Sequence, residues 1–141
     1  MIGTYEGARK ALEGDLPHLA SGTSRHVYRD GNLVYKIDIG WDESNLAEWD
    51  TYQKILSVDL EPNIALAETN LFMVDDVPVI CMEYIDGQPM ADCYCNLVGE
   101  EHNETCLDAG MAVVISKYID DTGGMNVVIK DGIYYLIDFG E

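Results

Sequence analysis

Basic side chains are scarce in this chain: 8 Lys and Arg stand against 26 Asp and Glu, for a formal charge of −18. A nucleic-acid interface works by releasing counterions from phosphates and needs a basic face, which this composition does not supply. The same deficit opposes adsorption to anionic membranes. Nowhere is there a run of about 18 apolar residues, and the opening M-I-G-T-Y-E-G-A-R-K-A-L lacks the apolar core of a secretory signal. The expected setting is the cytoplasm, with Cys81, Cys93, Cys95 and Cys106 as reduced thiols. Internal repeats and low-complexity segments are also missing. What remains is 141 residues, 48% of them hydrophobic, enough to fill the core of one domain. Any protein partner of so acidic a surface is expected to be basic.

The C-terminal stretch D-D-T-G-G-M-N-V-V-I-K-D-G-I-Y-Y-L-I-D-F-G-E, residues 120–141, carries the densest signal. Asp131-Gly132 between two apolar runs is a strong hairpin sign, because both turn positions require φ > 0. The strands are expected at Val127–Ile129 and Ile133–Ile137. A hairpin this tight brings its two outer ends together, so Asn126 and Asp138 are expected to share a divalent cation, with Asp121 facing whatever that cation holds. Gly123-Gly124 leaves the preceding loop free to approach phosphate or backbone closely.

A second hairpin is expected within Leu19–Ile37, around Asp30-Gly31. Lys36 lies inside its apolar-flanked strand L-V-Y-K-I, where an unpaired ammonium is costly, so an acidic partner is expected. The following helix, residues 42–57, offers Glu48, with Asp38, Glu43 and Asp50 as competitors. Leu46, Trp49, Ile55 and Leu56 read as its buried stripe, and Asp42 or Ser44 as its N-cap. A shorter helix is expected over residues 4–13, between Thr4 as N-cap and Gly14 as stop. Pro62 ends the second helix, and strands follow at Leu71–Val74 and Val77–Ile85 across Asp75-Asp76. A further helix, residues 104–118, is expected to be buried and capped by Thr105 or Asn103.

D-x-x-x-x-N, then strand, turn, strand and D-F-G, in this order after a lysine strand and an acidic helix, resembles the protein-kinase-like superfamily. Over residues 16–141 the chain is most similar to the small truncated kinase-like proteins of tailed bacteriophages, which would put it in a host cytoplasm. The resemblance implies an α+β fold. Residues 1–14 would be a helical extension, and residues 15–85 an N-lobe of antiparallel sheet plus one C-type helix. Residues 86–141 would be a minimal C-lobe ending at D-F-G. It makes Asp121 the catalytic aspartate, Lys36–Glu48 the ion pair that serves the α/β-phosphates, and Asn126 and Asp138 the Mg²⁺ ligands. Ser21, Gly22, Thr23 and Ser24 would hold phosphate oxygens, although Ala20 and Arg25 stand where the family has two further glycines. Arg25 either adds charge to the phosphates or obstructs them. Met82 would be the gatekeeper, with the Glu83–Ile85 backbone against adenine. The pattern departs at Ile119 and Asp120, where the family has histidine and arginine, and the sequence stops one residue after D-F-G, without the family's acceptor platform.

Three functions are open on these grounds. The first is an ATP- and Mg²⁺-binding phosphotransferase that acts on itself or on a protein partner. The second is an inactive acidic pseudokinase-type module that binds and inhibits a basic host protein. A toxin–antitoxin-like or structural element without nucleotide is the third. Separately, Cys93, Cys95, His102 and Cys106 form a set that zinc accepts, against the plainer reading of free cysteines and an exposed histidine.

Overall fold

A computed structural model describes residues 2–21, 25–40, 43–89 and 127–137, and among them the chain is α+β. In chain order the elements are α1 (Tyr5–Leu12), β1 (His18–Ser21), β2 (Arg25–Asp30), β3 (Leu33–Asp38), α2 (Ser44–Leu56) and β4 (Ile64–Leu66). They continue with β5 (Thr69–Val74), β6 (Val77–Glu83), β7 (Gln88–Pro89), β8 (Val127–Lys130) and β9 (Ile133–Leu136). One sheet is antiparallel in the order β1-β2-β3-β6-β5; the other runs β4-β9-β8-β7, with β4 parallel to β9.

Strand β3 lies in the middle of the first sheet, and Val34, Tyr35, Lys36 and Ile37 are all buried. A half-exposed strand would alternate. This one does not, because each face of the sheet carries a helix. Tyr35 and Ile37 join Ala8 and Ala11 of α1, with Val74, Val79 and Cys81. Val34 joins Tyr52 and Ile55 of α2, with Ile80 and Met82. Helix α1 begins where expected: the Thr4 hydroxyl accepts from Gly7 N–H at 2.9 Å, and Gly14 follows the C-cap with φ +76°. It is no peripheral extension, since Ala8 and Ala11 are part of the core.

Helix α2 buries part of the expected stripe, Ile55 fully and Trp49 partly, but its inward face is rotated from it. Asn45, Glu48, Tyr52 and Ile55 are buried, whereas Leu46 and Leu56 are exposed. Ser44 is the first helical residue and Glu43 the N-cap, and the Glu43 side chain makes no capping bond. Capping comes from outside the helix: Asp38, at the end of β3, accepts from Asn45 N–H at 3.1 Å.

The turns divide between expected and unexpected. Asp131 and Gly132 both have positive φ, +52° and +78°, as the Asp-Gly hairpin requires. At the other hairpin Asp30 is still paired, with Leu33, so the loop is Gly31-Asn32 with φ +60° at Gly31. Asp75 and Asp76 both adopt left-handed φ between β5 and β6. The second sheet meets the first along an apolar seam, where Val127, Leu136, Ile64 and Ala67 pack in one cluster with Val34, Ile80 and Met82. This seam sets the end of β9 beside β3.

Candidate functional site

Lys36 is directed from β3 toward α2. Its Nζ donates to Glu48 Oε1 at 3.0 Å and to the Ile137 carbonyl at 3.0 Å; Glu48 Oε2 is 3.3 Å away. Three acceptor oxygens thus meet the three ammonium donors. Glu48 is wholly shielded from solvent, and it has a second cation: Arg25 Nη1 lies 3.1 Å from Oε2. Both cations are themselves buried. Charge-assisted bonds in a water-poor setting are stronger than their surface counterparts, but desolvation sets most of that gain aside. The group is therefore an expensive one to keep for stability alone.

Asn45 ties the charges to the backbone. Its Nδ2 donates to the Lys36 carbonyl at 2.7 Å and the Pro78 carbonyl at 3.0 Å, while Oδ1 accepts from Arg25 Nη1 at 3.4 Å. Sheet strands β3 and β6 and helix α2 are thus stitched by one amide. Among the described residues no buried side-chain nitrogen or oxygen lacks a partner. Of the acids weighed against Glu48 for Lys36, Asp38 caps α2, Glu43 is exposed, and Asp50 pairs with Lys54 on the surface at 3.0 Å.

Arg25 neither extends toward solvent nor lines an open loop. It turns in beneath the hairpin and shares Glu48 with Lys36. Sequence reasoning named Arg25 only as an aid or obstacle to phosphate and did not name Asn45 at all. The available signal was spacing: Asn45 sits one helical turn before Glu48, so any contact of one with β3 brings the other there.

Met82 is buried in the seam with Val34, Val127 and Leu136. Beyond it, Glu83 N–H donates to the Glu68 carbonyl at 2.9 Å, Tyr84 N–H to the Asn32 carbonyl at 2.7 Å, and Gly87 N–H to the Ile85 carbonyl at 3.1 Å. The Glu83 and Tyr84 N–H groups, in the segment expected to meet adenine, are thus already engaged within the chain. The Arg29 guanidinium covers the Tyr84 ring, 4.0 Å from its centroid. Ser21, the first of the expected phosphate-holding residues, has its Oγ between two imidazoles, 2.7 Å from His18 Nε2 and 2.6 Å from His26 Nδ1.

Gly22, Thr23, Ser24, Asp121, Asn126 and Asp138 lie outside the described residues, as do Cys93, Cys95, His102 and Cys106. The hairpin that separates Asn126 from Asp138 is described. Val127 pairs with Leu136, and Ile137, one residue before Asp138, holds the Lys36 amine. Among the described residues no group of three or more His, Cys, Asp or Glu is gathered to hold a metal ion. No described helix is long and apolar enough to cross a membrane. No protein-family model matches the chain, and no curated protein matches it.

Proposed function

We propose that the chain binds ATP with Mg²⁺ in a kinase-like arrangement and transfers the γ-phosphoryl group to a hydroxyl on itself or on a basic protein partner. The observation that carries this reading is the position of one amine. Lys36 is buried, paired with Glu48 on the following helix, and bonded to the carbonyl that immediately precedes D-F-G, 101 residues away in sequence. Any buried ammonium needs acceptors for its donors; what supports the reading is where the second acceptor lies, directly before D-F-G and on another element from Glu48.

In this reading Glu48 orients Lys36 toward the α/β-phosphates, and Arg25 fixes Glu48. Asn126 and Asp138 supply amide and carboxylate oxygens, the donor chemistry that suits Mg²⁺. When bound, the metal neutralises charge on the phosphates and offsets the crowded acids Asp120, Asp121 and Asp138. Asp121 orients the acceptor hydroxyl, and Met82 and the Glu83–Ile85 segment border the base. Phosphoryl transfer asks the protein mainly for position and charge, which a small domain can supply.

The second reading, an inactive acidic module that binds and inhibits a basic host protein, is favoured by Arg25. A guanidinium stands where the family's loop has glycine and is engaged with Glu48, and the net charge of −18 suits a basic partner. Thermal stabilisation by ATP with Mg²⁺, lost in Lys36→Met and Asp138→Ala, is the expected result for nucleotide binding. Labelled γ-phosphate on the chain or on a lysate target, lost in Asp121→Asn, is expected for transfer. Absence of any thermal shift at millimolar ATP, with a basic host protein co-purifying, would replace the first reading with the second.

A further inference from the structure

We propose that His18 and His26, with the Ser21 hydroxyl between them, form a binding site for a divalent transition metal of the zinc, nickel or copper class. The site depends on a bulge. Ser21 pairs with His26 and Ala20 with Val27, but the register then slips, so that His18 and not Leu19 stands opposite Tyr28. Without that extra residue His18 would point to the opposite face of the hairpin from Ser21. With it, His18, Ser21, His26 and Tyr28 share one face, which is the re-aiming that bulges provide.

Two imidazole nitrogens then converge on one point. His18 Nε2 and His26 Nδ1 approach Ser21 Oγ to 2.7 and 2.6 Å, and the ring centroids are 5.8 Å apart. Two imidazoles on one metal at about 2.0–2.1 Å have their centroids roughly 5–6 Å apart, so the rings already stand at the separation that a shared ion demands. Tyr28 backs His18 edge-to-face at 5.5 Å and limits its rotation. His18 and Ser21 are exposed, so an ion can enter and water can complete its coordination. Imidazole donors with no described carboxylate beside them select zinc, nickel or copper over Mg²⁺ or Ca²⁺. Before binding, the single hydroxyl proton goes to one ring, and the other ring donates to the oxygen. Binding moves the second ring's proton to its remote nitrogen, and both lone pairs then meet the metal.

Calorimetric titration of the intact chain with Ni²⁺ tests this. One equivalent is expected to bind. His18→Ala and His26→Ala should each weaken it about tenfold or more. His26→Gln, which keeps a hydrogen-bonding side chain but no ligating nitrogen, should lose it while retaining the native circular dichroism. Cys106→Ser should stay within a few-fold of the parent. Undiminished binding in the histidine variants, loss in Cys106→Ser alone, or no binding by the parent chain would each overturn the proposal. The outcome is independent of whether the chain binds nucleotide.

Discussion

The two faces of the first sheet are built on opposite principles. Under α1 the contact is mainly apolar and close: Ala8 and Ala11 lie on Tyr35, Ile37, Val79 and Cys81, and the polar contacts are neutral ones, the Tyr35 hydroxyl accepting from Thr4 N–H at 3.3 Å and Asn70 Nδ2 donating to the Ile2 carbonyl at 3.1 Å. Under α2, apolar side chains enclose Lys36, Arg25, Glu48 and Asn45, with every described buried polar atom paired. Replacing a buried ion pair by well-packed apolar groups is commonly neutral or stabilising. A sheet that can be covered as α1 covers it does not need ions for strength. The contrast is that the α1 face is closed mainly by small apolar contacts, while the α2 face joins the two sheets through an apolar cluster that also encloses paired charges.

The sharpest way to break this comparison is Glu48→Ala. It strands two buried cations and is expected to lower stability by about 3–5 kcal/mol, read from the urea midpoint at constant slope. The corresponding deletion on the other face, Tyr35→Phe, should cost about 1 kcal/mol or less. Equal losses would erase the distinction. Next in size, Gly7→Ala drives a Cβ into the Tyr35 hydroxyl and should cost about 1–3 kcal/mol. Repeating it in the Tyr35→Phe background, where that oxygen is gone, should recover part of the loss. Of similar or smaller size, Asn45→Ala leaves the carbonyls of Lys36 and Pro78 without their amide and should cost about 1–3 kcal/mol.

The smallest effect concerns pH. Burial pushes the Cys81 thiol up from 9.0 to about 11, and burial also raises Tyr35 beside it. Both groups are neutral when protonated, and the unfolded chain loses these protons first. For Cys81 the contribution is therefore whole below about pH 9 and declines as pH climbs toward 11, by at most about 1.4 kcal/mol per pH unit; the decline from Tyr35, whose ordinary value is 10.0, begins higher. Melting temperatures across that range should fall less steeply in Cys81→Ala than in the parent.

Much of the α2 face was legible. A lysine inside an apolar strand demands an acid, and the next helix supplied Glu48. The Asp131-Gly132 turn was legible because so few residue pairs tolerate two left-handed positions. The rotation of α2 was not. Hydrophobic periodicity puts Ile55 and Trp49 inward, and both do pack on the core, but it puts Leu46 and Leu56 there too and leaves Glu48 at the edge of the stripe, whereas the buried face is shifted toward Asn45, Glu48 and Tyr52. Only the cations and carbonyls of another element make polar residues good core, and a local pattern cannot contain them. The parallel pairing of β4 with β9 was equally hidden, since a three-residue strand announces no partner some seventy positions away. Arg25 escaped for a related reason: charge alone does not say whether a side chain beside a hairpin turns outward or in.

The parallel pairing has a mechanical consequence. Strand β4 follows α2 by a short connection and grips β9 at both ends, through Asn63 with Tyr134 and Ala67 with Leu136. Glu48 and Ile137 are thereby joined through β4, and the Lys36 amine bonds to both. A single buried amine therefore ties three segments of the chain, the central strand, the helix and the end of the last strand, at one point.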